Sequence, residues 1–305
     1  MNILEIRQLH MSFGSNKVLN GLDMAVPEHS IFGFVGKNGA GKTTTMKIVL
    51  GLLKAASGSV TVCGEKVVYG DTKTNRHIGF LPDVPEFYGY MRPKEYLKLC
   101  GEITGLSAQA IRNRSEELLA LVGLKDVNRR IGGFSRGMKQ RLGIAQALLN
   151  EPRLLICDEP TSALDPIGRK QILDILAAIK GKTTVVFSTH ILSDVERICD
   201  HIAVLDQGRL VLSGTISEIQ KQYRRNSYSI RFAHPEQAAR FAACEQLSSS
   251  AIKLEQEGNA LTITIEEQAV DGQVLIDLLS QMQITPEKFE AMEPTLENLF
   301  TEVVQ

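Results

Sequence analysis

The chain opens with short apolar stretches cut by turn residues, without helical periodicity. Ile3-Leu4-Glu5-Ile6 reads as a strand, Met11-Ser12-Phe13-Gly14 runs into a turn at Gly14-Ser15-Asn16, and Val18-Leu19 and Leu22 to Val26 lead to a second turn at Pro27-Glu28. Ile31 to Val35 is an apolar run rich in strand formers, and Thr44 to Leu53 carries helical residues up to Lys54. Ser59 to Val62 and Lys66 to Tyr69 read as strands around Gly64. Between residues 91 and 149 the spacing changes to about 3.6, which predicts helices over Lys94 to Ile103, Ser107 to Val122 and Met138 to Leu149. In the second of these, Ile111, Leu118, Leu119 and Val122 share a face.

Strands return with Leu154 to Asp158 and Thr183 to Phe187, apolar without polar alternation, as strands covered on both faces should be. Asp165 to Lys180 is a predicted helix with Pro166 in its first turn, Ser193 to Cys199 is a shorter one, and Ile202 to Leu205 is a strand ending at Gln207-Gly208. Composition shifts near Arg224-Arg225-Asn226-Ser227. Beyond it the order is strand Tyr228 to Phe232, helix Pro235 to Cys244, a hairpin of Ile252 to Gln256 and Leu261 to Ile265 through Gly258-Asn259, helix Val274 to Met282 and strand Phe289 to Met292. A last helix, Thr295 to Val304, puts Leu296, Leu299, Phe300 and Val303 on one side. The βαββαβ order suggests a ferredoxin-like sandwich. The expected fold is therefore an α/β core with an N-terminal antiparallel β subdomain and a helical insertion, residues 1–225 with the insertion at about 91–149. A small C-terminal α+β domain, residues 226–305, follows.

The chemistry gathers first at Gly36 to Thr43, which fits G-x-x-x-x-G-K-[ST] between a strand and a helix, the P-loop NTPase arrangement. Gly36, Asn38, Gly39, Ala40 and Gly41 form the loop, with Thr44 just after it. Its backbone N–H groups can turn inward onto phosphate oxygens, and the helix start adds positive potential. Lys42 would bridge the β- and γ-phosphates and the Thr43 hydroxyl would bind Mg²⁺, so ATP and Mg²⁺ are the expected cofactors. Asp158 and Glu159 stand at the end of a buried strand. Asp158 would hold Mg²⁺, and Glu159 is placed to polarise an attacking water.

Composition sets limits around this site. Of 305 residues, 43% are hydrophobic, a globular composition with ample core. No run of about 18 apolar residues suggests a transmembrane helix, and the N-terminus lacks a signal-peptide layout. Five widely spaced cysteines without C-x-x-C indicate neither zinc nor a disulfide framework, and fit a reducing cytosol. From Asn226 onward there are 4 basic and 13 acidic residues, against 30 and 22 before it, a basic body with an acidic appendage. The basic charge is diffuse and not interleaved with aromatics, so no nucleic-acid partner is expected.

Further residues carry a resemblance. Residues 3 to 220 resemble the ATP-binding subunit of an ABC transporter: Phe134-Ser135-Arg136-Gly137-Met138-Lys139-Gln140-Arg141 resembles that family's signature motif, Ser162-Ala163-Leu164-Asp165 its D-loop, and Ser188-Thr189-His190 its switch histidine. The Gly-Met-Lys-Gln-Arg wording and the tail Glu293-Pro294-Thr295-Leu296-Glu297-Asn298-Leu299-Phe300 are similar to bacterial ABC-2-type exporters, including peptide-antibiotic immunity systems. The resemblance implies an ATPase whose two copies close head to tail over two ATP molecules. Ser135 and Gly137 of one copy, with Asp165, would reach the nucleotide held by the other, and hydrolysis at Glu159 would release the pair.

His190 would contact the γ-phosphate, consistent with its place after a buried strand. Phe13, which taken alone reads more readily as a strand-core aromatic, would by this resemblance stack on adenine. Asp83 stands where the family often has Gln and would reach Mg²⁺ or a water with different geometry, while Arg136 replaces a frequent glycine and Phe134 a frequent leucine. Arg136 either points away from phosphate or adds positive charge beside it.

The implied partner is a separate integral-membrane permease that exports a drug, peptide antibiotic or other amphiphile, with this chain cytoplasmic and peripheral on the inner face of the membrane. The stretch from Asp83 to Met91, with Phe87, Tyr88 and Tyr90, is where the permease would dock or, alternatively, a loop packing its own aromatics. The alternative function is a soluble ABC ATPase acting on nucleic acid or protein assemblies. The absence of a tandem second core and of a long coiled coil argues against its better-known types.

Overall fold

Asn2–Phe13 (β1) and Asn16–Pro27 (β2) pair antiparallel through a tight turn, with Leu4 opposite Val26 and Met11 opposite Leu19. Ile31–Val35 (β3) is buried at every position and leads through the glycine loop into Lys42–Val49 (α1). This helix stops short of the expected Leu53 because Leu50 caps it and Gly51 turns left-handed at φ 69°. Ser57–Val62 (β4) joins the free edge of β1, and Glu65–Lys66 (β5) is only a stub. The strand expected to continue to Tyr69 ends there, since Val68 and Tyr69 are exposed and the chain turns back at Asp71.

Ile78–Leu81 (β6) is a strand that periodicity missed. The helical insertion consists of Pro93–Ile103 (α2), Ala108–Leu121 (α3) and Arg136–Ala147 (α4). Ser107 caps α3 by accepting from the Ala110 N–H, and the helix buries Ile111, Leu118 and Leu119 as its spacing requires. Leu154–Asp158 (β7), Pro166–Ala178 (α5), Thr184–Thr189 (β8), Leu192–Ile198 (α6) and His201–Asp206 (β9) complete the α/β alternation. Arg209–Thr215 (β10), unanticipated, returns antiparallel through Gln207 and Gly208, whose φ values of 44° and 76° suit a two-residue hairpin turn.

Two sheets result, ordered β2-β1-β4-β5 and β10-β9-β3-β8-β7-β6. In the second, the β3, β6, β7, β8 and β9 neighbours are parallel, which explains the unbroken burial of β3, β7 and β8 at its centre. A core including Leu4, Leu9, Leu22, Phe34, Met46, Ile48, Val62 and Leu205 joins the antiparallel sheet, α1 and the parallel strands. Because β3, β8 and β7 are neighbours, the loops after their carboxyl ends converge, the usual ligand position of an open α/β sheet.

The remaining elements are Ile216–Gln222 (α7), Asn226–Arg231 (β11), Pro235–Ala242 (α8), Ile252–Glu257 (β12), Ala260–Ile265 (β13), Gly272–Gln281 (α9), Lys288–Met292 (β14) and Leu296–Val303 (α10). Their sheet runs β12-β13-β11-β14 with antiparallel neighbours throughout, the ferredoxin-like order that βαββαβ predicts. Ile230, Phe232, Phe241, Leu261, Ile263 and Leu275 form its core. Chain division falls at Met1–Ile216 and Ser217–Glu302, which places α7, absent from the sequence reading, with the second unit. The structure, a computed structural model, describes residues 1–71, 73–222, 226–247, 252–265, 272–292 and 296–303. The Thr295 and Val304 ends of the last expected helix, and the stretch 223–225 at the composition shift, lie outside them.

Candidate active site

The loop after β3 is shaped by close approach. A Cβ on Gly36 would lie 2.5 Å from the Leu205 carbonyl oxygen. Gly41, the N-cap of α1, has φ 111°, which L side chains rarely adopt. Lys42 starts the helix and is only 6% exposed, a burial that an ammonium tolerates only when satisfied. Its Nζ donates to the Gly36 carbonyl at 2.7 Å and the Lys37 carbonyl at 3.3 Å, and lies 3.2 Å from Glu159 Oε1.

The carboxylates of β7 meet this loop. Thr43 Oγ1 donates to Asp158 Oδ2 at 2.7 Å. Ser188, in register opposite Asp158 on β8, donates its hydroxyl to Asp158 Oδ1 at 2.6 Å and accepts the Glu159 N–H at 3.0 Å. One hydroxyl thus fixes both acidic residues. Glu159 has a left-handed backbone, φ 48°, and its Oε2 shares a hydrogen bond with His190 Nδ1 at 2.9 Å. His190 itself is well exposed while Glu159 is mostly buried. Asn38, Gly39, Gly41, Lys42, Thr43, Thr44, Asp83, Asp158, Glu159, Ser162 and His190 line one open cleft of about 370 Å³.

Asp83 and Arg136, two of the departures from the family pattern, are partners. Arg136 NH2 donates to Asp83 Oδ1 at 3.1 Å, and Gln140 Nε2 donates to the Asp83 carbonyl. Burial pushes the Asp83 carboxyl above its usual range; the Arg136 charge and hydrogen bond oppose this, while Asp158 and Glu159 add to it. The guanidinium is thus directed at the wall of its own chain's cleft.

Other expected site residues lie elsewhere. Ala40 is buried within the loop and does not line the cleft, and Gly36 contributes its carbonyl to Lys42 without lining it either. Phe13 ends β1 about half exposed and is not a core aromatic. Ser135 caps α4, accepting the Met138 N–H at 3.3 Å, with Gly137 in the first turn, and neither lines the cleft. Asp165 caps α5 by accepting the Gly168 N–H at 3.0 Å. Sequence reasoning missed Ser188 and Ser162 as site residues. Ser188 was detectable as a polar side chain at the end of an apolar strand, but only strand register shows that it faces Asp158.

Buried loop lysine, adjacent hydroxyl and paired carboxylates at converging strand ends define a P-loop nucleoside triphosphatase. More narrowly, the chain belongs to the ATP-binding subunits of ABC transporters and is an ATPase that yields ADP and phosphate. Residues 19–162 match the family described as ABC transporter, and residues 214–304 match the C-terminal domain of ATP-binding protein DrrA1-3-like. The chain is 38% identical over 226 residues to the bacitracin transport ATP-binding protein BcrA of Bacillus licheniformis, covering 73% of each. It is 38% identical over 215 residues to the Nod factor export ATP-binding protein I of Cupriavidus pinatubonensis, covering 70% of this chain and 66% of that one. A solved ATP binding subunit of an ABC transporter superposes with a TM-score of 0.66 at 32% identity, covering 72% of this chain and 93% of that chain.

Proposed function

We propose that two copies of this chain close head to tail over two ATP molecules, and that the cycle drives a separate membrane permease that exports its substrate. The carrying observation is a divided set of phosphate-binding groups: Lys42, Thr43, Asp158, Glu159 and His190 share one cleft, while Ser135 and Gly137 lie outside it on a helix start. Such a start offers N–H groups to an anion. In the dimer, Ser135, Gly137 and Asp165 complete the site of the other copy, and Phe13 stacks on adenine through its exposed ring.

The residues present suit Mg²⁺. The Thr43 hydroxyl and Asp158 carboxylate already touch, and a hard cation takes oxygen donors from one or two side chains plus substrate phosphates. Thr43 and Asp158 would hold it, with Asp83 on the same cleft wall, and bound magnesium would neutralise phosphate charge. Phosphate oxygens replace the Gly36 and Lys37 carbonyls and Glu159 around Lys42 Nζ. Glu159, released from that pairing, accepts a proton from water as the water oxygen bonds to the γ-phosphorus and the bond to the β–γ bridging oxygen breaks. His190 exchanges Glu159 for the γ-phosphate and registers its loss.

No helix among the described residues is long and apolar enough to cross a membrane, and we assign the path through the bilayer to the permease. The chain then works at the inner face of the membrane. Val84, Tyr88 and Tyr90 are each more than half exposed and suit permease contact, whereas Phe87 packs edge-on against Tyr96 at 5.0 Å. The named activities of the two relatives, bacitracin transport and Nod factor export, support an export role.

Solution mass of Glu159→Gln tests the dimer. The 33.6 kDa chain should double in mass with ATP and Mg²⁺ and remain single without them. A mass indifferent to ATP contradicts the reading.

A further inference from the structure

Glu159 and Ala163 both hold left-handed backbone, φ 48° and 53°, although neither is glycine. Such residues persist only where their surroundings over-determine the backbone. Thr161 lies between them, is fully buried, and donates its hydroxyl to Asp194 Oδ2 at 2.7 Å. The other oxygen of Asp194 accepts from Arg169 NH2 at 2.7 Å. Asp194 is only 3% exposed, so these two charge-assisted contacts replace water around a buried carboxylate.

Three segments meet there. Asp194 sits in the first turn of α6, shortly after His190; Arg169 belongs to α5, which Asp165 caps; and Thr161 belongs to the strained turn that begins at Glu159. His190 and Glu159 touch at 2.9 Å, yet their chain segments are held to each other from behind by Asp194. We propose that Asp194 is a positioning residue for hydrolysis. Through Thr161 it fixes the turn that carries Glu159, and through α6 it fixes the segment that carries His190. It contacts neither nucleotide nor water. The inference rests on Glu159 acting as the base.

Thr161→Val, Thr161→Ser and Asp194→Asn test this in the full chain with ATP and Mg²⁺, measuring kcat, KM and the equilibrium binding of ATP. Misplacement of a reacting group by about 1 Å costs on the order of 100-fold. Thr161→Val should lower kcat by about 10- to 100-fold with KM and ATP affinity unchanged, and Thr161→Ser should restore it because the hydroxyl returns. Asp194→Asn should fall in kcat as well, and the double variant with Thr161→Val should be no slower than the worse single variant. Retained ATP affinity shows that the cleft has folded. If Asp194→Asn does not fold, the Thr161 pair alone decides. Parental kcat in Thr161→Val, or equal loss in Thr161→Ser, overturns the proposal. Glu159→Gln measured alongside separates the two readings: if it turns over normally, the base assignment itself has failed.

Discussion

Glu159→Gln removes one charge while leaving the shape of the side chain. The carboxylate it replaces lies 3.2 Å from Lys42 Nζ and 2.9 Å from His190 Nδ1. A general base contributes typically 10²- to 10⁴-fold, about 2.7 to 5.4 kcal/mol of barrier. The same carboxylate competes with phosphate for Lys42, since two unit charges at about 4 Å interact by up to roughly 4 kcal/mol at an effective dielectric of 20. The desolvation of a largely buried pair offsets most of that figure, leaving about 1 kcal/mol as the gain in nucleotide binding. The variant should therefore release phosphate 10²- to 10⁴-fold more slowly at saturating ATP and bind ATP somewhat more tightly, by about five- to tenfold. Phosphate-release kinetics and titration with a fluorescent ATP analogue measure both. A kcat within about threefold of the parent would refute the base assignment. Weaker ATP binding would refute the competition for Lys42.

Asp83 gives a pH-dependent prediction. Its carboxyl titrates higher in the folded chain than when unfolded, so the folded state holds the proton more strongly and stability falls as pH rises through that range. Asp83→Asn, which cannot ionise, should gain stability relative to the parent at neutral pH and lose that advantage near the ordinary carboxylate pKa; urea unfolding at both pH values checks this, and the opposite trend contradicts it. A chain ended after residue 225 should retain ATP binding if the C-terminal region is a separate domain, as its own core of Ile230, Phe232, Phe241 and Leu261 suggests. Loss of nucleotide affinity in that truncation counts against the boundary.

The parallel core was readable because strands buried on both faces leave unbroken apolar runs, as in Leu154 to Cys157 and Thr184 to Phe187. β6 escaped because Ile78 to Leu81 contains a glycine and only four residues. That glycine has its own reason, since a Cβ there would lie 2.2 Å from the Ala147 carbonyl oxygen. β10 escaped as an edge strand with alternating exposure. In the site, the phosphate loop and the Asp158-Glu159 pair are contiguous in sequence and were legible. Long-range pairings were not: Ser188 with Asp158, and Arg136 with Asp83, join residues 30 and 53 positions apart. The second pairing gives Asp83 and Arg136 a geometry that neither departure has alone.

Mixing two inactive variants distinguishes a nucleotide site shared between two copies from one confined to a single copy. Lys42→Ala spoils the cleft, and Ser135→Arg spoils the helix start that serves the opposite cleft. In a head-to-tail pair carrying one of each, both defects fall on the same site and the other site is intact. Each variant alone should be inactive. An equimolar mixture should recover about a quarter of the parental ATPase rate, because about half of the pairs are mixed and each has one working site of two. No recovery, with ATP-dependent pairing of the variants confirmed by mass, would contradict the shared site, as would full activity of Ser135→Arg by itself.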